Sequence, residues 1–219
     1  YGLALLLLSF YSCESWLNVT PSDRLSEEML FNDREGFVKA LNGVYIELNT
    51  NELYGRNLTA GALDVMGQYY SVASSSHAFY NYGGLVYTGN DEKALFDNMW
   101  QKCYAVIACC NTIIEKCDEN KAGLSPVWKG SIKGEALALR AMLHFDMLRL
   151  FGPLTSELDK ESIPYQTNSD QTVTPLLSGS EVIGLILDDL KNAVGLLKGT
   201  DAYFVEEEFS DTDLNSRRF

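Results

Sequence analysis

The sequence is poor in positive charge. Lysine and arginine together number 17, against 30 aspartates and glutamates, which gives a formal net charge of -13 at pH 7. Because binding to the phosphate backbone of a nucleic acid requires clustered lysine and arginine, this balance argues against a nucleic-acid partner. The 219 residues are 46% hydrophobic and 21% charged, which is the composition of a globular chain of about one domain or a little more.

An apolar run long enough to span a membrane is missing from the start of the chain. Residues 2–12 are apolar or small apart from Tyr11, and none is charged, but a spanning helix needs roughly 20 apolar residues. The length is typical of the hydrophobic region of a signal peptide. Since neither a starting methionine nor a basic segment precedes it, we expect that the true N-terminus has been cut off and that residues 1–12 are the remnant of a signal peptide.

This first stretch ends at Ser12-Cys13. A cysteine directly after a small residue at this place resembles the lipobox of bacterial lipoproteins, in which the cysteine is acylated and becomes the mature N-terminus. Phe10 and Tyr11 depart from the usual leucine and small residue of that signal. We predict lipidation of Cys13, with residues 14–21 as an exposed start. A buried strand with an ordinary cysteine is the alternative.

Cysteine and histidine patterns that hold metals are also missing. The four cysteines after Cys13 lie on one predicted helix: Cys103, Cys109, Cys110 and Cys117. There is no C-x-x-C pair, and His77 and His144 are far from these cysteines in sequence. Neighbours spaced by seven residues lie about 10.5 Å apart along a helix, whereas a disulfide needs Cα atoms within about 7 Å. We therefore predict no metal site, no cofactor and a buried seam of free thiols.

No catalytic motif is recognisable. The G-x-S-x-G, H-E-x-x-H and glycine-rich phosphate-loop patterns are absent from the sequence. Asp64 and His77 are acid–base candidates by residue type alone. Glu135 and Arg140 lie among apolar neighbours of one predicted helix, which favours structural pairing or capping. Because the carboxylates of glycosidases meet in space and not in sequence, a hydrolase stays open as a third hypothesis.

The sequence does contain strong helical periodicity. Apolar residues recur three and four positions apart over residues 34–48, 91–117 and 180–198. Ser125-Pro126 begins a further helix that runs to about Phe151, and Ser178 with Glu181 forms a predicted capping box. We predict a mainly α-helical fold of tetratricopeptide-like helical hairpins with long irregular loops.

Two segments are predicted to be irregular. Residues 152–177 read as a connector, and residues 50–90 as a long loop region with one short helix near residues 58–66. Within the latter, the stretch QYYSVASSSHAFYNYGGLVYT, residues 68–88, is crowded with aromatic side chains.

A sugar ring has an apolar C–H face and a rim of hydroxyl groups, so it binds a flat aromatic ring that lies beside hydrogen-bonding side chains. The loop therefore contains our candidate ligand-binding residues, which are Tyr69, Tyr70, Tyr80, Asn81, Tyr82 and Tyr87. In the alternative interpretation, these rings pack the loop onto the helices.

One helix resembles a known family. The stretch IKGEALALRAMLHFDMLRLFGPL, residues 132–154, is similar to the signature G-E-A-x-x-L-R-A-x-x-x-F-x-L-x-R-x-F-G of the SusD-like (RagB/SusD) outer-membrane lipoproteins. The match is carried by Gly134, Glu135, Ala136, Leu139, Arg140, Ala141, Phe145, Leu148, Arg149, Phe151 and Gly152. The family's W-x-x-x-Y-x-x-I-x-x-x-N helix is matched by Trp100, Tyr104, Ile107 and Asn111. CESWLNVTPSDRLSEEMLF resembles the family's start, whereas Pro153 follows the glycine sooner than is usual.

The resemblance implies a lipid-anchored protein on the cell surface, at the outer membrane. Such a protein binds glycan or another nutrient oligomer and delivers it to a SusC-like TonB-dependent transporter. The resemblance implies a binding protein that is not an enzyme. Family members are longer, so we expect residues 13–200 to form the N-terminal helical domain, the first part of an α-α superhelix. Residues 201–219 would be an acidic connector to a missing C-terminal half. The alternative is a tetratricopeptide-like interaction scaffold that docks on the transporter without a ligand site of its own.

Overall fold

A computed structural model describes residues 27–170 and 172–198 of the chain. The predictions for Cys13, for residues 1–12 and for the connector 201–219 concern residues outside these ranges.

Helices make up most of the described chain, in agreement with the predicted fold class. In order, the described elements are α1 (Glu27–Leu30), α2 (Arg34–Leu48), α3 (Ala62–Met66), α4 (Tyr80–Gly83), α5 (Asn90–Glu119), α6 (Pro126–Phe151), a 3-10 turn (Thr155–Glu157), β1 (Glu161–Pro164), β2 (Leu176–Ser178) and α7 (Gly179–Leu197). The mainly α-helical prediction is confirmed. The tetratricopeptide-like geometry of the hairpins stays a prediction.

Three helices begin at side-chain caps, and those at Ser125 and Ser178 confirm the sequence-based prediction. Asp33 accepts a hydrogen bond from the backbone of Gly36 at 2.8 Å and starts α2. Ser125 accepts one from Trp128 and starts α6, with proline in its first turn. Ser178 and Glu181 form the predicted capping box of α7. Because each side chain pairs a backbone N–H that the helix leaves free, local sequence alone fixes these three boundaries.

Helix α6 lies at the centre of the described structure and packs against both α5 and α7. Its buried residues are distributed around the helix and do not form one stripe, which is the pattern of a helix covered on several sides. On α5, the cysteines Cys103, Cys110 and Cys117 are free and buried, as expected, whereas Cys109 is exposed.

The connector contains a small sheet that the sequence did not predict. Strands β1 and β2 pair antiparallel, with Glu161 opposite Ser178 and Pro164 opposite Leu176. Each strand has only three or four residues, which is too short for a period-two pattern to be recognised. Strand β2 ends at Ser178, which is the residue that caps the start of α7.

A buried ion pair joins the three long helices. Arg140 of α6 donates from Nε and Nη2 to the two carboxylate oxygens of Asp189 on α7, both at 2.7 Å. A further donation from Nη1 reaches the amide oxygen of Asn111 on α5 at 2.8 Å. Arg140 is therefore not paired with Glu135, which instead accepts a hydrogen bond from Tyr45 of α2 at 3.2 Å. Structural roles are thus found for both residues, but with partners that the sequence did not indicate.

His144, one turn further along α6, fastens the connector to this ion pair. Its Nε2 accepts a hydrogen bond from the backbone of Gln166 at 3.0 Å, so Nδ1 carries the proton that is donated to the carbonyl of Arg140 at 2.9 Å. The ring stacks on Tyr165, with centroids 3.9 Å apart, and the Tyr165 hydroxyl donates to Asp189 at 2.6 Å. Burial lowers the pKa of the His144 imidazole to about 4.

Replacing Asp189 with alanine should strongly destabilise the fold. The change leaves the buried Arg140 guanidinium without its carboxylate, and such a loss costs about 3–5 kcal/mol of unfolding free energy. Urea denaturation followed by circular dichroism measures it. Asp188→Ala is the matched control, because this neighbouring carboxylate is exposed and pairs with exposed Lys191. Equal effects of the two substitutions would contradict the assigned role of the ion pair.

The stability of the fold should fall as the pH is lowered through the range below about 6.5. An unfolded histidine has a pKa of about 6.5, whereas folded His144 binds its proton only near pH 4. Between these values the unfolded state binds more protons, so the unfolding free energy falls by at most about 1.4 kcal/mol per pH unit from this residue. Denaturation at a series of pH values should show a shallower slope for His144→Gln. If the control His77→Asn, and not His144→Gln, makes this pH dependence shallower, the assignment of the effect to His144 is wrong.

Candidate functional site

The aromatic-rich segment of residues 68–88, here called the tyrosine loop, is fastened to the helices on both sides. The Gln68 side-chain amide donates to the carbonyl of Gly83 at 3.0 Å and to that of Val65 at 3.3 Å. These bonds tie the end of α3 to the end of α4. Gln68 and Leu85 have φ values of 60° and 55°, which non-glycine residues adopt only where surrounding contacts require it. The loop therefore has a defined backbone conformation.

Two of the candidate tyrosines pack the loop onto α5. Tyr82 is only 2% exposed, and its ring lies edge-on to Phe79 and Phe96 at centroid distances of 5.8 and 6.0 Å. Burial raises the pKa of its hydroxyl to about 12. Tyr87 is half-buried and packs on Phe96 at 5.4 Å. For these two rings the structure favours the alternative interpretation, because both pack against Phe96 of α5 and Tyr82 is buried.

Three candidate tyrosines have solvent-accessible rings. Tyr69 is 83% exposed, and Tyr70 and Tyr80 are 43% and 42% exposed. The hydroxyl of Tyr70 donates to the carbonyl of Ala60, which holds that ring against the chain before α3. Tyr69 and Tyr80 lie on the two segments that Gln68 joins. These three rings are the candidate aromatic side chains that remain open to solvent.

Asn81, the candidate for hydrogen bonding to a ligand, is engaged within the protein. Its Nδ2 donates to the Oε1 of Glu92 at 2.8 Å. Glu92 lies in the first turn of α5 and is only 5% exposed. Glu92 was not among the sequence-predicted candidates; the only signal for it is its place as an acid in the first turn of a helix.

The residues considered for acid–base chemistry lie on three different parts of the structure. His77 accepts a hydrogen bond on Nδ1 from the backbone of Phe79 at 3.0 Å and so supports the loop. Asp64 lies half-buried on α3, and Glu135 lies on α6 beside Tyr45. Arg56 places its guanidinium 5.9 Å from the centre of the Phe79 ring, which adds one cation beside the aromatic cluster.

Two surface depressions lie along α6 and α7. One has a volume of about 680 Å³ and a mixed lining, in which Lys133, Arg140, Asp189 and Lys191 lie beside apolar residues such as Leu137. The other, of about 420 Å³, is apolar and includes Met142, Phe145 and Leu187. In the described ranges, no three histidines, cysteines or carboxylates are grouped so as to hold a metal ion. Nor does any helix within residues 27–170 and 172–198 have the length and apolar character to cross a membrane.

Comparisons with known proteins agree with the resemblance. The model of a SusD-like family, described as starch-binding and associating with the outer membrane, matches residues 15–209. Among curated proteins, SusD-like protein P38 of Formosa agariphila is 27% identical over 83% of this chain and 34% of its own length. SusD-like protein P2 of the same organism is 25% identical over 68% of this chain and 29% of its length. A SusD-like protein of Bacteroides ovatus is 30% identical over 46% of this chain and 18% of its length.

The chain spans about a third of the length of the first two relatives. The family match nevertheless covers most of the 219 residues, including all the helices described above. The outer-membrane location expected from the resemblance agrees with the description of the family. The chain belongs to the SusD-like family, which is described as starch-binding and associating with the outer membrane.

Proposed function

We propose that the chain binds a nutrient glycan at the outer membrane through the tyrosine loop. The observation that carries the proposal is the exposure of Tyr69 and Tyr80 on a loop that Tyr82 and Tyr87 anchor to α5. An exposed ring on a loop of defined conformation can stack on the apolar face of a sugar with little further loss of conformational freedom.

The polar groups of the loop suit a carbohydrate. A sugar offers several hydroxyl groups that both donate and accept hydrogen bonds, and the stretch between the open rings is rich in serine, with Ser74 and Ser76 exposed. Tyr69 and Tyr80 contribute phenolic hydroxyl groups beside their apolar faces. This combination of flat rings and exposed hydroxyl groups supports a glycan over a purely apolar ligand.

We propose binding without turnover. The SusD-like family is described by what it binds. The buried carboxylate of Glu92 beside α4 accepts a hydrogen bond from the amide of Asn81, which leaves it poorly placed to protonate a glycosidic oxygen. Within the proposal, the glycan leaves the chain chemically unchanged.

Delivery to a SusC-like TonB-dependent transporter and attachment through a lipid on Cys13 complete the proposal. Both are supported by family membership and by the association of the family with the outer membrane. The alternative, an interaction scaffold without a ligand site, is favoured by the apolar depression beside α6 and α7, where Phe145 and Leu187 are 47% and 48% exposed.

Removing either open ring should weaken glycan binding without unfolding the chain. Maltoheptaose is the first probe, because the family description names starch, and a panel of other oligosaccharides follows. Isothermal titration calorimetry should show affinity reduced roughly tenfold for Tyr69→Ala or Tyr80→Ala, since loss of one stacked ring costs about 1.4 kcal/mol. The melting temperature should stay nearly unchanged.

Two further variants sharpen this test. Ile46→Ala removes an exposed apolar side chain of α2 outside the loop and should leave the affinity unchanged. Tyr82→Ala should instead lower the unfolding free energy by about 3 kcal/mol, because its ring is buried. If the unaltered chain binds no oligosaccharide of the panel but binds the transporter, the scaffold alternative is correct.

Replacing Cys13 with serine should move the protein from the membrane to the soluble fraction in its native host. Serine cannot form the thioether that carries the lipid, and stable attachment depends on the acyl chains. Fractionation followed by immunoblotting measures the change, with Cys109→Ser as the control because this cysteine is exposed but lies within α5. Persistent membrane attachment of the Cys13 variant would show that the lipobox interpretation is wrong.

A further inference from the structure

We propose that Glu92 is the positioning residue of the tyrosine loop. Through its hydrogen bond with Asn81, its buried carboxylate fixes the short helix α4 and with it the open ring of Tyr80. The consequence for glycan binding rests on the proposed function above. The consequence for the order of the loop rests on the contacts of the described residues alone.

The surroundings of Glu92 require a specific partner. Glu92 is only 5% exposed to solvent. Within residues 27–170 and 172–198 it forms no ion pair. A carboxylate taken out of water must be compensated by hydrogen-bond donors or by positive charge. The Asn81 amide supplies a donor at 2.8 Å, and the N-terminal end of the 30-residue α5 supplies partial positive charge.

The position of Asn81 makes this bond matter for the loop. Asn81 lies between Tyr80 and Tyr82 on α4, which has only four residues. A helix of this length is not stable by itself, so contacts with the rest of the protein must hold it. The buried ring of Tyr82 attaches α4 to α5 through non-directional packing. The bond from Asn81 to Glu92 is directional, and it therefore fixes how α4 is rotated and where Tyr80 points.

A glycine provides the room for this carboxylate. Gly89 precedes α5, and a Cβ atom placed there would lie 2.0 Å from the Oε2 of Glu92. Its φ of -72° is accessible to any residue, so the backbone does not require glycine at this position. The Glu92 side chain folds back over the start of its own helix and occupies the space that a side chain at position 89 would need.

Hydrogen exchange of the backbone amides of residues 80–87 tests the proposal directly, in the 219-residue chain without ligand. In Glu92→Ala these amides should exchange about tenfold faster while those of α6 are unchanged, because the substitution removes a local hydrogen bond. Glu92→Gln should stay close to the unaltered chain, since its amide oxygen can still accept from Asn81. Gly89→Ala should resemble Glu92→Ala, because the new methyl group displaces the carboxylate.

An exchange of the two side chains separates positioning from a general effect on stability. Asn81→Asp alone places two carboxylates together and should loosen the loop. Combining Asn81→Asp with Glu92→Gln restores a carboxylate–amide pair with the roles reversed and should recover slow exchange. Asp91→Asn is the matched control, because it removes an exposed carboxylate from the same helix turn and should leave the loop unchanged.

Two outcomes would overturn the proposal. One is an exchange rate of residues 80–87 that Glu92→Ala does not change. The other is a double variant no better ordered than Asn81→Asp alone. Titration with maltoheptaose measures the consequence for binding. The proposal is supported in full if the loop of Glu92→Ala exchanges faster, its affinity for maltoheptaose falls at least fivefold, and the double variant recovers that affinity. Absence of maltoheptaose binding by the unaltered chain bears on the proposed function, whereas the exchange data still decide the role of Glu92.

Discussion

The pair of Arg140 and Asp189 is the interaction on which the described structure depends. It joins α6 to α7, and through Asn111 it also holds α5. A buried guanidinium tolerates few arrangements, because each donor that loses its acceptor is costly. The pair therefore sets the relative position of the three helices more strictly than apolar packing alone, which accommodates small shifts more readily. Tyr165 and His144 extend the same constraint to the connector before α7.

The candidate site lies at the N-terminal end of α5, whereas the contact of α5 with the Arg140–Asp189 pair lies in its C-terminal half. Asn111 and Glu92 are both on α5, 19 residues apart, which corresponds to about 28 Å along the helix axis. Asn111 thus ties the C-terminal half of α5 to the ion pair, and the N-terminal half presents Glu92, Phe96 and the attached loop. A loop that carries open aromatic rings can in this way have a defined position even though α3 and α4 are too short to be stable alone.

Local signals in the sequence were sufficient for the long helices, but not for the short α4 or for the pairing of the helices. Asp33, Ser125 and Ser178 sit at the ends of regular apolar patterns, so the boundaries of α2, α6 and α7 could be predicted. The partner of Arg140 could not, because Asp189 is 49 residues away and Glu135 is on the same helix. In the tyrosine loop, neither a helical nor a strand period is maintained, so nothing in the sequence separated buried Tyr82 from exposed Tyr80. That difference depends on where Phe96 of α5 lies.

The residues that carry the family resemblance and those that would contact a ligand are different sets. Trp100 packs edge-on to Phe151 at 5.0 Å, and Tyr104 donates to the carbonyl of Pro164 at 2.9 Å. Together with Asn111 and Arg140, these motif residues form the contacts between the long helices and the connector. The resemblance therefore identifies the scaffold. Tyr69 and Tyr80, the exposed rings of the proposed glycan site, lie outside both motifs. Because Glu92 and Phe96 of α5 hold Asn81 and Tyr82 while Tyr69 and Tyr80 stay exposed, the exposed positions of the tyrosine loop can change while the helical core stays intact.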